Sequence, residues 1–113
     1  MLPRRGDIFL VDFDPARAGK ANKKRPAVII TNNSANTHGS GVVVLPISSN
    51  IDSIYPFQLL LPVARTNLEH DSKAQTELLR SVSKSRLVKR LGFVLDDVMT
   101  DLDSRIKLHL GLS

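Results

Sequence analysis

The chain has 113 residues, of which 16 are Lys or Arg and 11 are Asp or Glu, so its formal net charge is +5 at pH 7. This length predicts one domain spanning residues 1–113, with 42% hydrophobic residues to form a core. The absence of cysteine excludes a disulfide framework, thiolate–zinc sites and a cysteine nucleophile, and it fits a reducing cytoplasm. We expect no signal peptide and no membrane span, because no apolar run is long enough. The excess of basic over acidic residues favours a polyanionic partner, either a nucleic acid or an acidic protein.

The first two predicted strands flank a basic loop. Residues 6–13 (GDIFLVDF) predict a mostly buried strand that Arg5-Gly6-Asp7 begins and Asp14-Pro15 ends. Residues 16–24 predict a mobile loop, and residues 26–31 predict a second buried strand. Five positive charges lie between positions 17 and 25. Arg25 therefore marks the junction of a loop and a rigid strand, which suits a phosphate site, although charge alone favours a solvated loop.

The middle of the chain predicts short strands joined by turns. Residues 32–41 are dense in turn formers and predict a loop. A third strand is predicted at 42–47, where Pro46 favours an edge position or a bulge, and a fourth strand at 57–61. Further along we predict a polar connection at 65–73, a strand rather than a helix at 76–83, and a short last strand at 86–93.

Two later features complete the predicted organisation. Lys84, Arg86, Lys89 and Arg90 form a second basic segment, which can meet the first in space or remain a separate solvated face. From Leu95 the apolar residues follow a helical period, and Gly111 is a suitable end for that helix. The residues of its apolar face are Val98, Met99, Leu102, Ile106 and Leu110. Five to six strands followed by one helix predict a mainly β fold with a C-terminal helix, best fitted by a small, partly open β-barrel.

The residues that carry chemistry point to arginine and hydroxyl groups. His38, His70 and His109 are isolated in sequence, and no zinc signature, phosphate-binding glycine motif or nucleophile elbow is present, so we expect no metal ion or other cofactor. A fixed guanidinium such as that of Arg25 offers planar donors to a phosphate. A hydroxyl such as that of Ser48 can donate where negative charge develops. Because arginine is essentially never deprotonated, these residues alone favour RNA binding over catalysis.

Four ordered segments resemble the MazF/PemK endoribonuclease toxins of bacterial toxin–antitoxin systems. They are RGDIFLVDFDP at 5–15, KRPAVII at 24–30, LPISS followed by YPF within 45–57, and RSVSKSRL at 80–87. The resemblance implies an SH3-like barrel, a homodimer, and metal-independent cleavage of single-stranded RNA to a 2′,3′-cyclic phosphate and a 5′-hydroxyl. It also implies a cognate antitoxin whose acidic, disordered tail occupies the RNA groove. It identifies Arg25 and Ser48 as the catalytic pair, with Ser48 in the place of the family's threonine.

The resemblance and the charge pattern together predict further RNA contacts. The predicted RNA-binding residues are Lys20, Lys23, Lys24, Ser49, Tyr55, Arg80 and Arg86. Tyr55 is the candidate stacking ring, because the four phenylalanines lie in apolar runs. The chain departs from the family at Lys20, Leu78 and Ser83, where glutamate, glutamine and aspartate are frequent. These departures leave the catalytic pair intact and concern the sequence preference and the rate.

Two other functions fit parts of the sequence. A gyrase-poisoning toxin of the CcdB type shares the barrel and the helix but acts on a protein, and it does not need an arginine at a junction of loop and strand. A non-catalytic RNA-binding barrel would also explain the positive charge. Its aromatic content of 4% is low for strong binding by base stacking.

Overall fold

The computed structural model describes residues 2–14 and 23–112, and within them the chain forms seven strands and two helices. The strands are β1 (Asp7–Asp14), β2 (Lys23–Ile29), β3 (Gly41–Ser48), β4 (Leu59–Leu61), β5 (Ser72–Ala74), β6 (Arg80–Ser83) and β7 (Leu87–Phe93). The helices are α1 (Asn33–His38) and α2 (Asp96–Leu110). Single 3₁₀ turns occur at Val63–Arg65, Thr76–Leu78 and Lys84–Arg86.

The strands form one curled antiparallel sheet in the order β4-β5-β3-β2-β1-β7, and β6 pairs with β3 outside this path. The first half of β3 pairs with β6 and its second half pairs with β5. The sheet with its C-terminal helix confirms the predicted partly open β-barrel. No helix in the described part of the chain is long and apolar enough to cross a membrane.

Both faces of the sheet are buried, which explains why β1 and β2 read as nearly continuous apolar runs. On one face Ile8, Val28 and Leu45 pack with Leu102 of α2. On the other face Phe9, which is fully buried, packs in a second cluster. The other members of that cluster are Val11, Ala27, Ile29, Val42, Val44 and Val82. Alternate residues of one strand therefore serve two separate cores.

The predicted start of β1 at Arg5-Gly6-Asp7 is confirmed and is held by contacts from distant residues. Gly6 has φ +94, a conformation that glycine adopts without strain. The Arg5 guanidinium donates to the Ile30 carbonyl at 2.9 Å and pairs with Asp103 at 2.5 Å. One side chain thus ties the start of β1 to the end of β2 and to α2.

The predicted loop at 32–41 is wrong in part, because residues 33–38 form α1. The Asn32 side chain accepts a hydrogen bond from the Ala35 amide at 2.9 Å and caps the helix. The buried Asn36 side chain donates to the Thr31 carbonyl at 2.8 Å. The residues that indicated a turn therefore cap and anchor one short helix instead.

The predicted edge position of the third strand is also wrong, because β3 has neighbours on both sides. The Pro46 carbonyl accepts from the Gln75 amide at 3.0 Å, so Pro46 faces the side where β6 ends and β5 begins. Since this side of the ladder is already interrupted there, the missing N–H of proline costs no strand hydrogen bond.

Several predicted boundaries shift. β2 begins at Lys23, so Lys23 and Lys24 belong to a strand and not to the predicted loop at 16–24. Residues 16–22 of that loop lie outside the described residues. The predicted strand at 76–83 is a 3₁₀ turn followed by β6, and the predicted fourth strand is shortened to β4. The connection at 65–73 ends in β5.

The predicted last strand and C-terminal helix are confirmed as β7 and α2. Met99 and Leu102 of the helix are buried, whereas Leu110 at its end is 48% exposed. Gly111 ends α2 with φ +71, and its amide donates to the Leu108 carbonyl at 3.3 Å.

Candidate active site

A cleft of about 570 Å³ is lined by residues of β1, β2, β3 and β7, by the chain that precedes β5 and by the first residue of β5. Its floor is largely apolar and includes Leu10, Pro26 and Ile47. Its polar and remaining lining residues are Arg25, Ser48, Ser49, Asn67, Leu68, Glu69, His70, Ser72, Lys89 and Leu91. The cleft combines cations, hydroxyl groups and an imidazole over an apolar base.

The register of β2 and β3 brings the two residues predicted as catalytic together. Ala27 lies opposite Pro46, and the same antiparallel register continued by two residues sets Arg25 opposite Ser48. Arg25 is exposed and Ser48 is half-buried, and both line the cleft. The guanidinium and the hydroxyl therefore lie at the ends of adjacent strands, where the scaffold fixes their backbones.

The Ser48 hydroxyl can donate a hydrogen bond to a ligand. Its oxygen accepts a hydrogen bond from the Asn50 amide at 3.1 Å, which engages one of its two lone pairs. Among the described residues the hydroxyl has no acceptor for its own proton. Such a hydroxyl can donate to a phosphate oxygen on which negative charge develops.

A second cation reaches the cleft from β7. Lys89 lies opposite Leu10, and Leu10 lies opposite Pro26 on its other side. Both Lys89 and Arg25 are exposed, and neither forms an ion pair with another described residue. The two basic segments of the sequence thus meet in part, through Lys89 and Arg25.

The predicted RNA-binding residues divide into three groups. Ser49 lines the cleft, and the exposed Lys24 lies next to Arg25 along β2. Lys20 and the side chain of Lys23 lie outside the described residues. The structure does not bring the remaining three to the cleft, namely Tyr55, Arg80 and Arg86.

Those three residues lie elsewhere on the barrel. The Tyr55 ring is 54% exposed and stacks on Phe57, with ring centroids 5.5 Å apart. The Arg80 guanidinium lies 5.1 Å from the centroid of the Phe13 ring, a cation–π geometry. Arg86 ends the 3₁₀ turn before β7. A long single strand would have to leave the cleft to reach any of them.

Sequence reasoning missed one wall of the cleft, the segment Asn67–His70. Thr66, which precedes it, is buried, and its carbonyl accepts from the Phe93 amide of β7 at 3.3 Å. Asn67 has φ +62, which asparagine tolerates better than most residues. The sequence marks this segment only as a polar connection, and His70 only as an isolated histidine.

No group of three or more His, Cys, Asp or Glu side chains that could hold a metal occurs in residues 2–14 and 23–112. Outside the cleft, the hydrogen bond from Arg65 lowers the pKa of Asp97 below 3.8, with help from the Val98 amide and against partial desolvation. This carboxylate lies in the first turn of α2 and does not line the cleft.

Comparison with known proteins gives consistent matches over nearly the whole chain. The model of a family described as "PemK-like, MazF-like toxin of type II toxin-antitoxin system" matches residues 4–110. Endoribonuclease MazF9 of Mycobacterium tuberculosis is 46% identical over 116 residues, which cover 98% of this chain and 98% of that protein.

Solved structures show the same fold. A MazE–MazF structure from Deinococcus radiodurans matches with a TM-score of 0.84 at 22% identity, covering 100% of this chain and 99% of that one. An endoribonuclease in complex with its cognate antitoxin, from a mycobacterial species, matches with a TM-score of 0.77 at 20% identity. That match covers 99% of this chain and 96% of the other.

Proposed function

Because the chain belongs to the PemK-like, MazF-like toxins of type II toxin–antitoxin systems, we propose that it is an endoribonuclease toxin that cleaves single-stranded RNA without a metal ion. The observation that carries the proposal is the cleft on which Arg25 and Ser48 meet. The products are a 2′,3′-cyclic phosphate and a 5′-hydroxyl. Family membership removes the support for the gyrase-poisoning alternative.

The chemistry follows from the two side chains. As the RNA 2′-oxygen attacks the phosphorus, negative charge builds on the non-bridging oxygens. The Arg25 guanidinium can donate two parallel hydrogen bonds to them, and Ser48 can add a third from the neighbouring strand. Donors held in place by a sheet need little reorganisation, so they stabilise the transition state more than the ground state. Lys89 and Lys24 extend the positive surface along which the RNA backbone binds.

We propose an antitoxin and a second copy of the chain as protein partners. A solved neighbour of the same fold is an endoribonuclease in complex with its cognate antitoxin. The net charge of +5 and the exposed cations at the cleft favour an acidic antitoxin segment that competes with RNA. The homodimer and the cytoplasmic site of action follow from the family.

The test is cleavage of a varied single-stranded RNA pool in the presence of EDTA. We expect the wild-type protein to cut and Arg25→Ala to lose cleavage. Removal of one preorganised donor typically costs about 100- to 1,000-fold in rate. Arg25→Lys restores the charge without the planar guanidinium and should remain impaired.

The matched control is Arg4→Ala, which removes an exposed arginine outside the cleft. Wild-type cleavage by Arg25→Ala, with an unchanged thermal transition, would contradict the role given to Arg25. A wild-type protein that binds the pool and cuts nothing would instead favour the non-catalytic RNA-binding barrel.

A further inference from the structure

The proposed cleavage needs a proton for the departing 5′-oxygen, and Arg25 is a poor source. A guanidinium is not deprotonated in proteins, and a lysine ammonium ordinarily keeps its proton near neutral pH. The serine hydroxyls of the cleft are weaker acids still. Among the described residues that line the cleft, His70 alone carries an imidazole, the side chain that most often transfers protons in general acid–base catalysis.

The backbone on both sides of His70 is anchored. Its carbonyl accepts a hydrogen bond from the Ser72 hydroxyl at 3.0 Å. The Asp71 carboxylate accepts from the Val63 amide at 2.9 Å. Ser72 then begins β5, where it pairs with Leu61. These contacts hold the backbone of the exposed His70 at the cleft that Arg25 and Ser48 also line.

We propose that His70 is the general acid of the cleavage, an assignment that rests on the proposed function. The bond from the RNA 2′-oxygen to phosphorus forms, and the 2′-hydroxyl proton passes to water in the open cleft. The bond from phosphorus to the 5′-oxygen breaks as the His70 imidazolium gives its proton to that oxygen. The neutral imidazole then regains a proton from solvent, so the cycle consumes no other reactant.

The charged groups around His70 come from three elements. Arg25 of β2 and Lys89 of β7 line the same cleft, and Glu69 directly precedes His70 in the segment before β5. Asp71 follows it, with its carboxylate engaged by Val63. The cations proposed to bind phosphate therefore lie on strands of the sheet, and the proposed proton donor lies on the segment before β5.

The test compares two RNA substrates that differ at one atom. In the second substrate, sulfur replaces the 5′-bridging oxygen at the cut site, and a thiolate leaves without being protonated. On ordinary RNA, His70→Ala and His70→Gln should be slower by about 100- to 10,000-fold, the usual worth of a general acid. On the sulfur-linked RNA both variants should cut at the wild-type rate.

His38→Ala is the matched control, because it removes an exposed histidine of α1 that lies outside the cleft. An equal loss on both substrates would overturn the assignment, since it would show a role in binding or folding. Undiminished cleavage of ordinary RNA by the His70 variants would also overturn it. A wild-type protein inactive on both substrates would overturn the proposed function itself, and the two failures are therefore distinguishable.

Discussion

Gly92→Ala should destabilise the barrel and displace a wall of the cleft. Gly92 is buried in β7 opposite Ile8, and the main chain at Thr66 crosses directly over it. A methyl group at Gly92 would lie 2.0 Å from the Thr66 carbonyl oxygen and 3.4 Å from Asn67 Cβ. Real Cβ contacts essentially never fall below 3.0 Å, so the main chain must move by at least 1.0 Å, the difference between 3.0 and 2.0 Å.

The structure allows an estimate of the cost. Thr66 is 2% exposed, its hydroxyl donates to the Pro62 carbonyl at 3.2 Å, and it cannot move freely. Overpacking of this kind costs about 1–3 kcal/mol. Loss of the hydrogen bond from the Phe93 amide adds about 1 kcal/mol. We therefore expect Gly92→Ala to lower the free energy of unfolding by about 2–4 kcal/mol, out of a total of about 5–15 kcal/mol. The midpoint of thermal unfolding should fall by about 10–20 °C.

The assay is equilibrium unfolding by urea and by heat, with RNA cleavage measured below the transition. Gly111→Ala is the control, because Gly111 has φ +71 but nothing lies within 4 Å of an added Cβ. Gly111→Ala should lower the free energy of unfolding by about 1 kcal/mol, because only the left-handed backbone conformation becomes less favourable. Because Asn67–His70 follow Thr66, Gly92→Ala should also slow cleavage. A loss of stability no larger than that of Gly111→Ala would refute the steric reasoning.

Two further predictions concern charged side chains. The hydrogen bond from Arg65 lowers the pKa of Asp97 in the folded state. The Asp97 carboxylate therefore contributes stability above its unfolded pKa, and this contribution is lost as pH falls below 3.8. Asp97→Asn should therefore lower the urea midpoint at pH 7, and this deficit should shrink as pH falls below 3.8 and vanish once pH is below the lowered pKa of the folded state. A deficit that stays constant with pH would show that the carboxylate charge is not its cause. A Lys23/Lys24 double alanine variant should bind more weakly to an RNA that carries 2′-deoxy substitutions and cannot be cleaved. The slope of log K against log salt concentration should decrease in magnitude by about 1.4, the value for two phosphate contacts on a single strand. An unchanged slope would show that these lysines do not contact phosphate.

Local patterns in the sequence were sufficient for the elements that bury an apolar face. The runs in β1 and β2, the four-residue period of α2, and the glycine that ends it were all predicted, because burial imposes its period directly on the sequence. The position of Arg25 before a buried run was likewise visible. The ordered motifs then identified the family and, through it, Ser48.

Other features depend on contacts between residues far apart in the chain. The helix at residues 33–38 is anchored by the Asn33 side chain, which accepts from the Arg5 amide at 2.7 Å. Pro46 lies inside the sheet because two short strands share one side of β3. Both outcomes are decided by neighbours that the local sequence does not specify.

The set of residues that line the cleft also depends on contacts between residues far apart in the chain. Periodicity predicts whether a side chain faces core or solvent, but not which elements become neighbours. Antiparallel pairing of β1 with both β2 and β7 brings Lys89 to the same cleft as Arg25, and the anchored segment before β5 adds His70 to its lining. Equally basic or aromatic residues, Arg80 and Tyr55 among them, lie away from it. The amino-acid sequence by itself thus determined the family, the barrel and the arginine at the cleft. Only the tertiary structure decided which groups surround that arginine, because their proximity is a property of long-range strand pairing.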